Sequence, residues 1–174
     1  MLYRFDGREP KIGKDTYVSE HALVIGDIEI GDNCYIGHAS VLRGDYGRIE
    51  IGSGTAVEEG VIIHAPPEEV CHIGKRVTLG HGAIVHASFV GDLALIGMGS
   101  ILSIWAEIGE RAIVAEGCVV KRRQKVPEGV VVSGNPAKIS RKVNAKDEKF
   151  WEWGKQLYID LAKKYLKIGM QKIP

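Results

Sequence analysis

The sequence predicts an all-β fold: a parallel β-helix built from six-residue repeats, with one C-terminal α-helix packed along it. Three observations point there. An aliphatic residue recurs every six positions through most of the chain. Glycine makes up 22 of 174 residues, well above the usual share of about 7%. A period of three and four residues, the mark of a helix, is confined to the end. We expect residues 1–140 to form the β-helix and residues 141–174 the helix and tail, all in one structural unit.

The repeat frame starts at Ile12 and runs through Val18, Val24, Ile30, Ile36 and Leu42. It resumes at Ile51, Val57 and Ile63, again at Ile73, Leu79 and Val85, and then continues from Val90 through Ile96, Leu102, Ile108, Val114, Val120 and Val126 to Val132. All twenty first positions are Ile, Leu or Val. The second is often glycine, as at Gly13, Gly31, Gly52, Gly74, Gly91 and Gly109, and the fifth is small, as at Ala22, Ser40, Ala83, Ala94 and Ala112. Residues two apart in a strand share a face, so the fifth position of one hexad and the first of the next both point inward. The aliphatic residue fills the core and the small one fits a tight corner. Three hexads make one coil of a triangular prism, and parallel pairing stacks the coils about 4.8 Å apart. Cys34 and Cys118 occupy the small inward slot and read as core residues.

Three hexads break the frame. The one at Leu42 is lengthened to LRGDYGRIE, the one at Ile63 to IHAPPEEVCH, and the one at Val85 is shortened to VHASF. Each is three hexads from the next, so all lie on one face of successive coils, with the extra residues expected as corner loops. Their second positions are Arg43, His64 and His86 instead of glycine, and point outward. Two imidazoles on neighbouring coils can converge on one ion at metal–nitrogen distances of about 2.0–2.1 Å. His81, in the third position of the hexad at Leu79, stands on another face, over Glu58. It reaches the pair only from a neighbouring chain, as a closed threefold packing of prisms allows. The counting predicts a metal between the subunits of a homotrimer. His21, His38 and His72 lack this registry and read as surface residues, with His72 a minor candidate for proton relay.

The repeat ends at SGNPAKI, residues 133–139, a segment suited to closing the β-helix. Asn144 then caps a helix with Asp147 in its first turn. Phe150, Trp153, Leu157, Leu161 and Tyr165 form one apolar stripe expected to lie against the prism. A net charge of +1 with 26% charged residues gives no nucleic-acid footprint. The chain shows no signal-peptide pattern and no run of the roughly 18–20 apolar residues that spans a bilayer, so a cytoplasmic protein without membrane or nucleic-acid partners is expected. Cys34, Cys71 and Cys118 are odd in number and lack CxxC spacing, which argues against a disulfide framework.

The hexad pattern resembles the hexapeptide-repeat superfamily, whose β-helices are left-handed, and the left hand here is an implication of that resemblance. More narrowly, VLRGDYGRIEIGSGTAVEEGVIIHA followed by TLGHGAIVHA is similar to the γ-class carbonic anhydrases, and the likeness covers nearly the whole chain. It implies zinc held by His64, His81 and His86, with iron(II) or cobalt(II) also suited to three imidazoles. It implies that Arg43 and Asp45 pair across the trimer interface. The chain also departs from the pattern. Ala56, Glu58 and Glu59 stand where the family has Asn, Gln and Asp, Tyr46 replaces a glutamate, and an acidic proton-shuttling loop is missing. Tyr158, in QLYIDLAKKYL, matches a tyrosine of the short-loop members.

The resemblance implies reversible hydration of carbon dioxide to bicarbonate by hydroxide generated at the metal. Glu58 is then expected to orient the attacking oxygen and, with Glu59, to pass the proton to solvent, while Tyr158 reaches the site from the helix. Two other readings stand beside this one. Glu58 as a fourth ligand would close the site and leave a metal-binding homologue acting as a binding or scaffold protein. The repeat also serves hexapeptide acyltransferases, which use a single histidine base and an acyl-coenzyme A donor.

Overall fold

The aliphatic residues line a single interior. The computed structural model describes residues 1–87 and 89–173, and in it the first-position residues from Val24 to Val132 are buried to a few per cent or less. The small fifth-position residues Ala22, Cys34, Ser40, Ala83, Ala94, Ala112 and Cys118 are fully enclosed beside them. The chain winds as a parallel β-solenoid with three faces.

The first two faces differ in whether glycine fills the second position. On the first, strands ending at Ile12, Ile30, Ile51, Ile73, Val90 and Ile108 pair in register. Each of these residues is followed by glycine. A Cβ at Gly91 would sit 2.6 Å from the backbone nitrogen of Glu110 in the next coil, so the stack closes only without one. The second face stacks Val41–Ile51, Ile62–His64, Ile84–Val85, Ile101–Leu102 and Val119–Val120. No glycine follows its core residues: the column reads Arg43, His64, His86, Ser103, Lys121. The third face is an eight-stranded sheet that begins at Tyr17–Val18 and ends at Lys138–Lys142, which turns back antiparallel against Val130–Ser133.

The lengthened hexad at Leu42 differs from expectation. Its extra residues form no corner loop: Val41–Ile51 is one eleven-residue strand that runs from the second face to the first. Leu23–Ile30 lies beneath it and pairs along both stretches, with a register shift between Gly26 and Ile28. The neighbour pairs with the strand on both sides of the insertion, up to Gly44 and again from Ile49, while the inserted residues bond elsewhere, Tyr46 O accepting from Glu68 N–H and Arg48 N–H donating to Glu69 O. The hexad at Ile63 does open into a loop after His64. Of the shortened hexad at Val85, Ser88 lies outside the described residues.

The C-terminal helix Ala145–Ile168 starts at the expected cap, Asn144, which forms a capping box with Asp147, and lies on the third face. Its buried side differs in part from the expected stripe. Leu161 and Tyr165 pack against Tyr17 and Tyr35 with Ala162 between them, but Phe150, Trp153 and Leu157 are 56%, 61% and 50% exposed. In that half Lys155 and Ile159 face the prism instead. Lysine takes this place because its stem packs and its Nζ reaches the Ala94 carbonyl at 3.2 Å. No helix among the described residues is long and apolar enough to cross a membrane.

Candidate metal centre

His64 and His86 stand one above the other because Leu42, Ile63 and Val85 pair in register and each passes the same outward slot to its successor. Their ring centroids are 4.8 Å apart, the spacing of adjacent coils. Both Nε2 atoms are buried and have no hydrogen-bond partner among the described residues. The Asp45 carboxylate lies 3.5 Å from His64 Nε2, at the outer limit of a hydrogen bond. A buried ring nitrogen left unpaired costs about 1–3 kcal/mol, so two on one spot mark a place where something is meant to be held.

Burial holds both imidazoles below the ordinary histidine value. For His64 the Arg43 guanidinium adds to this, against the opposing effect of Asp45; for His86 the neighbouring His64 and Arg43 add to it. Both are therefore neutral at pH 7, the form that coordinates a metal. The linkage has a definite sign. Neutral burial contributes stability that is fully present above the unfolded value of 6.5 and is lost as pH falls through the lower folded value. Metal-free protein is therefore expected to lose thermal stability below about pH 6.5, and a His64→Gln/His86→Gln variant to show a flatter acid limb. Melting curves between about pH 7.5 and about pH 5 check this; equal slopes would refute it.

Arg43 and Asp45 complete this face. The Arg43 guanidinium bonds Asp45 Oδ2 at 2.6 Å within one chain. Burial acts to raise the Asp45 carboxyl, but the Arg43 bond and charge bring it below its usual range. Beside the histidines runs an exposed apolar ladder, Ile62, Ile84 and Ile101, at 43%, 41% and 37% exposure and in register from coil to coil.

His81 is held apart from that pair, on the corner of the third face. Its backbone N–H donates to Glu58 Oε2 at 3.1 Å, its Nε2 lies 3.1 Å from the same oxygen, and its Nδ1 lies 2.8 Å from Glu59 Oε2. Both ring nitrogens thus face carboxylate oxygens within this chain, and binding a metal requires one of them to turn from its carboxylate to the ion. Among the described residues no three His, Cys, Asp or Glu side chains of one chain converge on a point that could hold an ion. The donor set still fits a metal: two unpaired imidazole nitrogens on one face and a third imidazole, backed by carboxylates, on another.

Glu58 and Glu59 have different surroundings. Glu58 is 6% exposed, and burial raises its carboxyl despite the charge of His81 and a hydrogen bond from Tyr158. Burial also acts to raise Glu59, but the Tyr35 hydroxyl, donating at 2.6 Å, and the surrounding charges and bonds bring it below the ordinary value. Burial pushes the phenols of Tyr35 and Tyr158 upward, so both remain donors.

The site thus adds Tyr35, which sequence reasoning did not single out. Its signal was available, since Tyr17 and Tyr35 both precede a first-position residue on the helix-bearing face. His72 stacks on Phe89 and faces Glu50 on the glycine-bearing face, away from this site. His38 is tied to Ser19 and Tyr165 beneath the helix, and His21 is exposed beside Glu20.

The bacterial transferase hexapeptide (six repeats) profile matches residues 9–44. The carnitine operon protein CaiE of Escherichia coli is 36% identical over 150 residues, covering 86% of this chain and 76% of that protein. The mitochondrial gamma carbonic anhydrase 2 of Arabidopsis thaliana is 36% identical over 168 residues, covering 93% of this chain; the match spans 60% of the plant protein's length. A hexapeptide transferase family protein from Anaplasma phagocytophilum, 32% identical, superposes with a TM-score of 0.89 over 94% of this chain and 97% of its own.

Proposed function

We propose that this chain, which belongs to the γ-class carbonic anhydrase-like family of hexapeptide-repeat proteins, is a zinc-dependent carbonic anhydrase acting as a homotrimer. The observation that carries the proposal is the stacked pair His64 and His86, whose Nε2 atoms are buried and unpaired. The isoleucine ladder beside them supports a second copy of the chain as the covering partner, and that copy would bring its own His81 to complete the ligand set. Zinc, when bound, supplies the Lewis acidity that brings the pKa of water from about 15.7 toward about 7.

Hydration of carbon dioxide releases one proton for each bicarbonate formed, and the chain's own residues manage that proton. Glu58, buried and with its carboxyl raised, takes it at Oε2, the oxygen facing His81 Nε2. Glu59, with 36% of its side chain exposed, carries it onward to solvent. Two carboxylates whose surroundings push their proton affinities apart are suited to this division of work. The Tyr158 hydroxyl holds Glu58 in place and the Tyr35 hydroxyl holds Glu59. Arg43 and Asp45 fix the face against which the neighbouring chain docks.

Stopped-flow hydration of carbon dioxide by protein of measured zinc content tests the reading. Zinc-loaded protein is expected to turn over, and Glu58→Gln to keep its zinc while losing roughly 100-fold in kcat at low buffer, with recovery on adding an imidazole buffer. Full zinc with no hydration would overturn the enzyme and favour the second reading, a metal-binding protein without turnover. The contact between Glu58 and His81 Nε2 gives that reading its footing, because a carboxylate so placed can itself become a ligand.

A further inference from the structure

Lys155 has no part in the site above, yet it is one of the few charged residues in the interior, at 3% exposure. It lies at the floor of a cavity of about 440 Å³ between the helix and the third face, whose walls include Leu93, Leu95, Ile113 and Trp151. Its hydrogen bonds among the described residues run to two neutral oxygens, Ala94 O at 3.2 Å and Thr78 Oγ1 at 3.4 Å. A neutral amine has two N–H bonds for two such acceptors and a lone pair left over. The structure thus accommodates the uncharged amine with its hydrogen bonds intact, beside an apolar space large enough for a small molecule.

We propose that Lys155 is a carbon dioxide-binding residue, its neutral amine adding to dissolved carbon dioxide in this cavity to form a carbamate. The nitrogen lone pair forms the N–C bond, one C=O π pair moves onto oxygen, and a proton leaves nitrogen for solvent, giving the carbamate R–NH–COO⁻, with R the lysine side chain, and one H⁺; nothing is oxidised or reduced. Apolar walls favour an uncharged gas over water and ions. The charged groups in the cavity lining besides Lys155 are Arg111, Asp147, Glu148, Lys149 and Glu152, with Asp147 paired to Arg141 at 2.5 Å and Arg76 and Glu58 acting from the coils. Arg76 is bonded to Glu152 at 2.6 Å and Arg111 lies 3.8 Å from Glu148, so the acids at the mouth are paired and guanidinium groups stand near the new anion.

Burial first, and the Arg76 charge second, bring the lysine down to about 8 from 10.5. At pH 7 the amine is then neutral roughly 300 times more often than an ordinary lysine. The addition needs carbon dioxide alone, so it is tested on metal-stripped protein, apart from the zinc chemistry. Protein equilibrated with ¹³C-labelled bicarbonate is alkylated with a trialkyloxonium salt, which traps carbamates as stable esters, then digested and analysed by mass spectrometry. Lys155 is expected to carry at least about ten times the label of Lys149, at the rim of the same cavity. The carbamate ¹³C resonance is expected to vanish in Lys155→Met.

Label at Lys155 no greater than at Lys149, or a resonance unchanged in Lys155→Met, overturns the inference and reduces Lys155 to a strut between helix and coils. Should Lys155→Met fail to fold, the wild-type labelling decides alone. Zinc-dependent hydration without labelling removes this inference only. Labelling without hydration supports it and removes the proposed enzyme only.

Discussion

Chains carrying His81→Ala, mixed after unfolding with chains carrying His64→Ala, are expected to regain about one quarter of the metal sites that either variant lacks alone. The figure follows from the proposed shared site. That site needs an intact His64 and His86 on one chain and an intact His81 on the next, and in a randomly assembled threefold ring about one junction in four meets that demand in the right direction. Each variant alone has no complete junction. Its affinity is expected to fall by more than the roughly 10–100-fold typical of lost outer-shell partners. Zinc content after gel filtration, measured beside the stopped-flow rate, checks both points. No recovery in mixed trimers would count against the shared site, and full retention of metal by His81→Ala would place all the ligands in one chain.

Gly97→Ala is expected to destabilise the protein by about 3 kcal/mol or more, and Gly99→Ala by about 1 kcal/mol. The two glycines stand two residues apart and do different work. A Cβ at Gly97 would lie 2.5 Å from Glu116 N and 2.7 Å from Ala115 C, backbone atoms of the next coil that move only if the stack opens. A Cβ at Gly99 meets nothing within 4 Å, and the cost there is its φ of 65° alone. Denaturant unfolding of the two variants separates stacking from backbone conformation. Equal losses would show that contact between coils is not what holds glycine at the second position.

That contrast also explains why so much of the fold could be read from the sequence. The inward slot accepts only an aliphatic side chain and the stacked corner often accepts only glycine, so both constraints repeat every six residues, whatever the neighbours do. The column of Arg43, His64 and His86 was legible for the same reason: it lies on the face where glycine never follows the core residue, in the three hexads whose length also departs from six. What could not be read depends on surfaces that no local period records. The eleven-residue strand Val41–Ile51 forms because Leu23–Ile30 offers it a paired edge, which the count of inserted residues does not reveal. The first half of the helix turns Phe150 and Trp153 outward and Lys155 inward because a carbonyl and a hydroxyl await its Nζ. Hydropathy alone ranks those residues the other way round. The contacts of His81 with Glu58 and Glu59 join residues over twenty positions apart, and only folding shows that both ring nitrogens are engaged.

On the proposed shared site, the unpaired nitrogens of His64 and His86 would make ion and assembly reciprocal. Any ion that bridges two copies must tighten their association by the same factor by which association tightens its own retention. Dilution then acts as a chelator does, and crowding of the chain acts as a supply of metal. Such a protein would lose occupancy and quaternary order together, in one transition whose midpoint moves with the concentration of the chain itself.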